Sequence, residues 1–172
     1  MTDRPGGRTV IDSPIGPLLL ESNGRALTLI RFDGEFEPED RLAPGAVPTD
    51  PVLAAAVAQL RDYFAGRLQV FDLPLEPAGS AFQREVWTAL GEIGYGETIS
   101  YGELALRTGR TTTASRAVGL ANGANPIPVV IPCHRVIGAN GTLVGYGGGL
   151  DRKRQLLGLE AEHAVTAQDR LL

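Results

Sequence analysis

The pattern of apolar and polar positions divides this chain of 172 residues into a front part of short β-runs with one helix, and a back part of short helices. Thr9-Val10-Ile11 is a β-branched run, interrupted by Pro14 to Pro17. Leu18-Leu19-Leu20 and Ala26 to Ile30 flank Ser22-Asn23-Gly24, and an Asn-Gly pair between apolar runs predicts a hairpin. Residues 33–49 are acidic and carry Pro38, Pro44 and Pro48, which predicts a surface loop. Asp50-Pro51 then opens a helix, with Asp as N-cap and Pro at the first helical position. Val52, Leu53, Ala56, Val57, Leu60, Tyr63 and Phe64 form its apolar stripe, and Gly66 ends it. Leu68 to Leu75 predicts one more strand. Together these make a small α+β unit over about 1–75 that holds no histidine and no cysteine.

Residues 76–79, Glu-Pro-Ala-Gly, predict a linker, and 80–172 a second, mostly helical domain. Ser80 and Gln83 have the spacing of a capping box, with Phe82, Val86, Trp87 and Leu90 on the buried face of the helix that follows. Ser100 and Glu103 repeat the box on a short helix ending at Gly109. Thr112 or Thr113 can cap a third helix over about 113–121, with Gly123 just past its end. Two short helices joined by a tight polar turn have the outline of a helix-turn-helix. Asn125-Pro126-Ile127-Pro128 predicts an extended path into Val129-Val130-Ile131. Gly138 to Gly149 holds six glycines, with Tyr146 among them. A last helix spans Asp151 to about Glu160, and 163–172 is expected to be a loosely held tail.

A hydrophobic fraction of 43% with 21% charged residues is that of a globular protein and excludes a disordered chain. No apolar run reaches the ~18 residues of a membrane span, and MTDRPGGRTV has no signal-peptide core, so a cytoplasmic setting is expected. One cysteine excludes an intrachain disulfide and a multi-thiolate zinc site, so neither metal nor cofactor is expected. The net charge of −4 argues against a nucleic-acid partner, but its distribution reverses the argument. Residues 1–80 hold 12 acids and 7 bases, a net of −5, whereas 81–172 hold 8 and 9, a net of +1. Between 100 and 138 the only acid is Glu103, against Arg107, Arg110, Arg116 and Arg135. A local positive face of this kind suits a phosphate backbone.

The chemistry concentrates in Pro132-Cys133-His134-Arg135-Val136, where the sole thiol stands beside one of only two histidines. A thiol beside a base points to nucleophilic chemistry, while a lone buried cysteine is equally a packing residue. A reactive thiol needs a base or a positive charge near it, and a third group to orient the imidazole. Glu160, Glu162 and Asp151 all fit that third role by pattern.

Taken with their surroundings, these residues resemble the O6-alkylguanine-DNA alkyltransferase family. The matching stretches are Ser80 to Trp87, Gly96 to Tyr101, Arg116 to Gly119, Asn125-Pro126, the Cys133 signature and Gly145 to Gly149, in the family's order. The resemblance is strong over about 80–160 and looser over 1–75. It implies transfer of an alkyl group from guanine O6 in double-stranded DNA to Cys133, once per molecule. His134 would act through a water as the base, Glu160 would polarise it, and Asn125 would brace the turn. Tyr101 would assist the departing base. Tyr146, Gly147, Val136 and Trp87 fall on the substrate side, although the helical pattern sets Trp87 in the core. Arg116 would fill the space of the flipped base, with Ala117, Gly119, Thr113, Ser115 and Arg135 also at the DNA, and Arg107 and Arg110 as further phosphate contacts. A monomer is expected, with cooperativity on DNA and reaction with O4-alkylthymine left open.

Four departures from the family pattern stand out. No cysteine is present for the N-terminal zinc site that some members carry. Gly147 stands where many members have serine, and Ser115 where alanine is common; the turn Gly109 to Thr113 is one residue longer. Competing readings are an alkyltransferase-like protein that binds damage without repair, a cysteine hydrolase, and a plain DNA-binding regulator. The first lacks the reactive cysteine that is present here.

Overall fold

The computed structural model describes residues 6–32 and 34–169, with side chains through 164. The fold is α+β, and the chain separates into two compact units, Met1–Ala78 and Gly79–Leu172.

In the first unit β1 (Gly7–Ile11), β2 (Leu18–Ser22) and β3 (Leu27–Arg31) form an antiparallel sheet in the order β1-β2-β3. The hairpin turn is held by its asparagine: the Asn23 side-chain oxygen accepts from the backbone N–H groups of Arg25 and Ala26, both at 2.9 Å. Helix α1 (Pro51–Phe64) starts as its Asp-Pro pair dictates, with the Asp50 carboxylate accepting from Val52 N and Leu53 N. It buries Leu53, Ala56, Val57, Leu60 and Tyr63. The expected strand over 68–75 does not form. Only Leu75 bridges to Leu27, through Leu27 N to Pro74 O and Glu76 N to Leu27 O. Upstream, the Gln59 side chain takes the backbone of Asp72 from both sides and leaves it unavailable to a ladder.

The second unit is built on helices. Helix α2 (Ala81–Leu90) carries a complete capping box between Ser80 and Gln83. Helix α3 (Tyr101–Arg107) is capped by the Ser100 hydroxyl, but the Glu103 carboxylate pairs with Arg107 one turn on instead of closing a box. Neither Thr112 nor Thr113 caps the next helix. A 3₁₀ turn, Thr112–Ala114, leads directly into α4 (Ser115–Gly123), whose N-cap, Ala114, makes no side-chain cap bond. Helices α2 and α3 both pack on α4. Two short parallel strands, β4 (Ile99–Ser100) and β5 (Val136–Ile137), tie the segment before α3 to the segment after the cysteine. Helix α5 (Leu150–Asp169) runs well past Glu160, so the expected tail is helical as far as it is described; 170–172 lie outside the described residues.

Trp87 joins α2 to α4: it is 3% exposed and its indole N–H donates to Ala121 O at 2.8 Å. Gly79 lies flat against this ring, and a Cβ there would come within 2.4 Å of it. Gly79→Ala should therefore cost about 1–3 kcal/mol through overpacking. Urea unfolding followed by the fluorescence of Trp87, the only tryptophan, measures this; an unchanged midpoint and emission maximum would contradict the packing described.

Candidate active site

The segment leading to Cys133 is a chain of tight turns, where an extended path was expected. Ile131 N–H donates to Ile127 O at 2.9 Å. Between them Val129 holds φ at 72°, a left-handed conformation that costs a β-branched residue about 1–2 kcal/mol. Pro132, at φ −82° and ψ 64°, forms an inverse γ-turn closed by Cys133 N–H to Ile131 O at 2.8 Å. A 3₁₀ turn, Cys133–Arg135, follows and passes into β5. The prolines fix φ within these turns rather than stretching the chain.

Asn125 pins this path at both ends. Its side-chain oxygen accepts from Ile127 N at 3.0 Å, and its amide donates to Ile131 O at 2.8 Å. From the end of α4, the buried Asn122 amide reaches the Cys133 carbonyl at 3.4 Å. The thiol is thus held by its backbone as much as by its side chain.

Cys133 is buried, and burial pushes its thiol up to about 11. Hydrogen bonding from Asn125 and Tyr146 and the charge of Lys153 work in the opposite direction. His134 is fully buried, and its Nε2 lies 2.6 Å from Glu160 Oε2. The other ring nitrogen, Nδ1, has no hydrogen-bond partner among the described residues. Burial lowers the imidazole's proton affinity and Glu160 raises it, with burial prevailing. A neutral ring whose Nε2–H donates to Glu160 leaves Nδ1 as a lone-pair acceptor beside the thiol's residue.

Of the three acids that fitted the orienting role by pattern, the structure brings Glu160 to the imidazole, while Glu162 and Asp151 are exposed. Burial works to raise the Glu160 carboxyl, but hydrogen bonds and charge from His134 and Arg135 overcome it and hold the group at about 2. Arg135 is placed differently from its expected role at a phosphate. Its guanidinium is buried, donating through Nε to Glu160 Oε1 at 2.7 Å, through Nη2 to Oε2 at 3.1 Å and through Nη1 to Ile93 O at 2.6 Å.

The glycine-rich segment brings one side chain to the thiol. Tyr146 brings its hydroxyl to the thiol, and burial raises that phenol. Tyr101, at the first position of α3, donates to Val144 O at 3.2 Å. A Cβ at Gly147 would meet nothing within 4 Å. Val136 is buried in β5. Trp87, also expected on the substrate side, is instead the core bolt between α2 and α4.

Lys153 escaped the sequence reading. It is fully buried and donates to Val136 O at 2.7 Å, Val144 O at 3.0 Å and Gly145 O at 3.4 Å. The signal was present in the spacing: Lys153, Leu156 and Glu160 recur at i, i+3 and i+7 on one face of α5.

On the outer side of this unit, Arg116 and Ala117 are exposed in the first turn of α4. Arg107 pairs with Glu103, and Arg110 pairs with Glu85 at 2.9 Å while lying over the Phe82 ring. With Arg135 buried, Arg116 is the one arginine between 100 and 138 with no side-chain partner among the described residues. Gly119 makes room for Tyr101, whose ring would touch a Cβ there at 3.4 Å. The Ser115 hydroxyl donates to Thr112 O, and those of Thr113 and Thr111 bond to each other.

Comparison with known proteins matches this architecture over nearly its whole length. Residues 81–162 match the family model of the 6-O-methylguanine DNA methyltransferase DNA binding domain, and 8–77 that of the same family's ribonuclease-like domain. A methylated-DNA–protein-cysteine methyltransferase of Mycolicibacterium paratuberculosis is 54% identical over 155 residues, covering 90% of this chain and 92% of the relative. One from Methanosarcina acetivorans is 49% identical, covering 88% and 96%. The crystal structure of Mycobacterium tuberculosis OGT in complex with DNA superposes with a TM-score of 0.79 at 51% identity, covering 91% of this chain and 94% of that one.

The depressed carboxyl of Glu160 has a consequence for stability. Its ionised form is favoured by folding, so the contribution is complete above the ordinary value of 4.5 and is lost as pH falls toward about 2. Glu160→Gln, which leaves Arg135 buried without its charge partner, should cost about 3–5 kcal/mol at pH 7. The gap to the parent should narrow as pH drops below 4.5, because the unfolded parent then takes up a proton while Glu160 in the folded parent stays ionised. Urea unfolding across this range checks it; a gap independent of pH would mean that Glu160 is not ionised in the native state.

Proposed function

Because the chain belongs to the 6-O-methylguanine DNA methyltransferase family, we propose that it repairs DNA by moving the alkyl group of O6-alkylguanine onto Cys133, once per molecule. The observation that carries this reading is the placement of the only thiol next to a buried imidazole–carboxylate pair, His134 and Glu160 at 2.6 Å.

The geometry supports the following sequence. The thiol is protonated at rest, because burial disfavours the thiolate. Its proton passes through a bridging water to Nδ1 of His134, while Glu160 holds the ring in the tautomer that leaves this nitrogen open. Asn125 and Lys153 stabilise the charge that develops on sulfur. The thiolate attacks the alkyl carbon, an S–C bond forms, and the C–O6 bond breaks with its electron pair passing to guanine. The Tyr101 hydroxyl, which donates to Val144 O, turns to the departing base and meets its charge. Tyr146, Gly147 and Val136 surround the purine. A thioether has no easy leaving route, so each molecule acts once.

The target base is stacked in a duplex and must leave it, at a cost of a few kcal/mol. Helices α3 and α4 serve as the helix-turn-helix, and Arg116 fills the space left by the base. Ala117, Gly119, Thr113 and Ser115 line the same face, and contacts fall mainly on phosphate, because damage can lie in any sequence. Among the described residues no helix is long and apolar enough to cross a membrane. The reading takes the protein as a cytoplasmic monomer acting on alkylated, double-stranded DNA.

Incubation with a duplex carrying O6-methylguanine should add one methyl group to the intact mass, at most once per molecule, and Cys133→Ala should abolish it. Product in excess of protein would point to hydrolysis, and no gain would sink the reading. Arg116→Ala should slow reaction with the duplex by about tenfold or more, equivalent to about 1.4 kcal/mol. The same variant should react almost normally with free benzylguanine; equal losses on both substrates would remove Arg116 from base flipping.

A further inference from the structure

We propose that Arg135 is a positioning residue of the alkyl-transfer site: its pairing with Glu160 keeps His134 a neutral base. The inference rests on the alkyl-transfer reading and goes beyond it, since that reading gives Arg135 no part in the proton transfer.

Three acceptors occupy the guanidinium: both oxygens of Glu160, at 2.7 and 3.1 Å, and Ile93 O at 2.6 Å. The Tyr95 ring lies 5.7 Å from its central carbon. A buried charge is costly unless it is paired and hydrogen-bonded, and the fork-to-carboxylate contact is the geometry that meets the cost.

The chemical consequence follows from the position of Glu160 between an imidazole and a guanidinium. A lone carboxylate 2.6 Å from an imidazole would draw a second proton onto the ring. A doubly protonated ring has no lone pair to accept the thiol proton. The positive charge of Arg135 on the same carboxylate opposes this without disturbing the hydrogen bond from Nε2. Glu160 thus selects the tautomer, and Arg135 keeps the ring singly protonated.

Other charges near the imidazole do not replace this effect. From α5 come Glu160 and Lys153, and from the ring's own turn Cys133 and Arg135. Helix α2, packed against that turn, buries only Val86, Trp87, Ala89 and Leu90. Lys153 acts in the same direction as Arg135, but its ammonium is engaged by three carbonyls and makes no described bond to Glu160.

The test uses the full chain, Arg135→Gln and Arg135→Lys. The imidazole is followed by nitrogen-15 NMR in unreacted protein, where only two histidines contribute and His163→Gln identifies the other signal. Single-turnover transfer from a methylated duplex is measured from pH 6 to 9. In Arg135→Gln the His134 titration should move to higher pH. Its rate should fall about tenfold at pH 6.5 and much less at pH 8.5, because a protonated base recovers as pH rises. Arg135→Lys, which keeps the charge, should restore most of the parent profile. A loss equal at all pH values with the titration unmoved would reduce Arg135 to a structural role and overturn the proposal. Should Arg135→Gln fail to fold, the parent decides: its ring must be singly protonated on Nε2 at pH 7, and a doubly protonated ring overturns the proposal. Failure of the parent to gain a methyl group would sink the alkyl-transfer reading alone, because the ring titration needs no substrate.

Discussion

A carboxylate buried to 1% exposure has to be compensated, and the second unit is arranged around that requirement. Glu160 on α5 draws in His134 and Arg135 from the turn after Cys133, and Arg135 in turn reaches Ile93 beyond the end of α2. One charged group therefore fixes the last helix, the reactive turn and the chain following the first helix of the unit in a single bonded set. The imidazole's direction is a by-product of that set.

The approach to the thiol is fixed by backbone means. A left-handed valine, an inverse γ-turn at Pro132 and a 3₁₀ turn follow one another within seven residues, with Asn125 tying Ile127 to Ile131. Such conformations persist only where the surroundings over-determine them. Here parallel pairing of β5 with β4 holds one end and the Asn125 side chain the other. Cys133 has little freedom left to settle into a different environment.

Much of this was legible in the sequence wherever a local rule sets local structure. Asp50-Pro51 and Ser80 with Gln83 started their helices as written, because a cap is decided within four residues. The extended run at 68–75 has strand-like composition, but a strand needs a partner and only Leu75 has one. Pro126 and Pro128 fix φ but not ψ, so they did not distinguish an extended path from a chain of turns. Arg135 and Lys153 were the harder cases. A charged residue reads as surface unless its partner is known, and Glu160 lies 25 residues beyond Arg135. The cysteine and its neighbours were legible because few residue types can do that chemistry; their second layer was not, because it is assembled by contacts distant in sequence.

The buried thiol has one more consequence, for the interval before any damaged base arrives. A protein that can react once must not react with the wrong electrophile. Oxidation by peroxide and capping by small disulfides both proceed through an exposed thiolate. Cys133 is buried and burial disfavours its thiolate, while Tyr101 and Lys153 hold the glycine-rich segment at the same Val144 carbonyl. The burial that disfavours the thiolate also withholds the sulfur from such reagents.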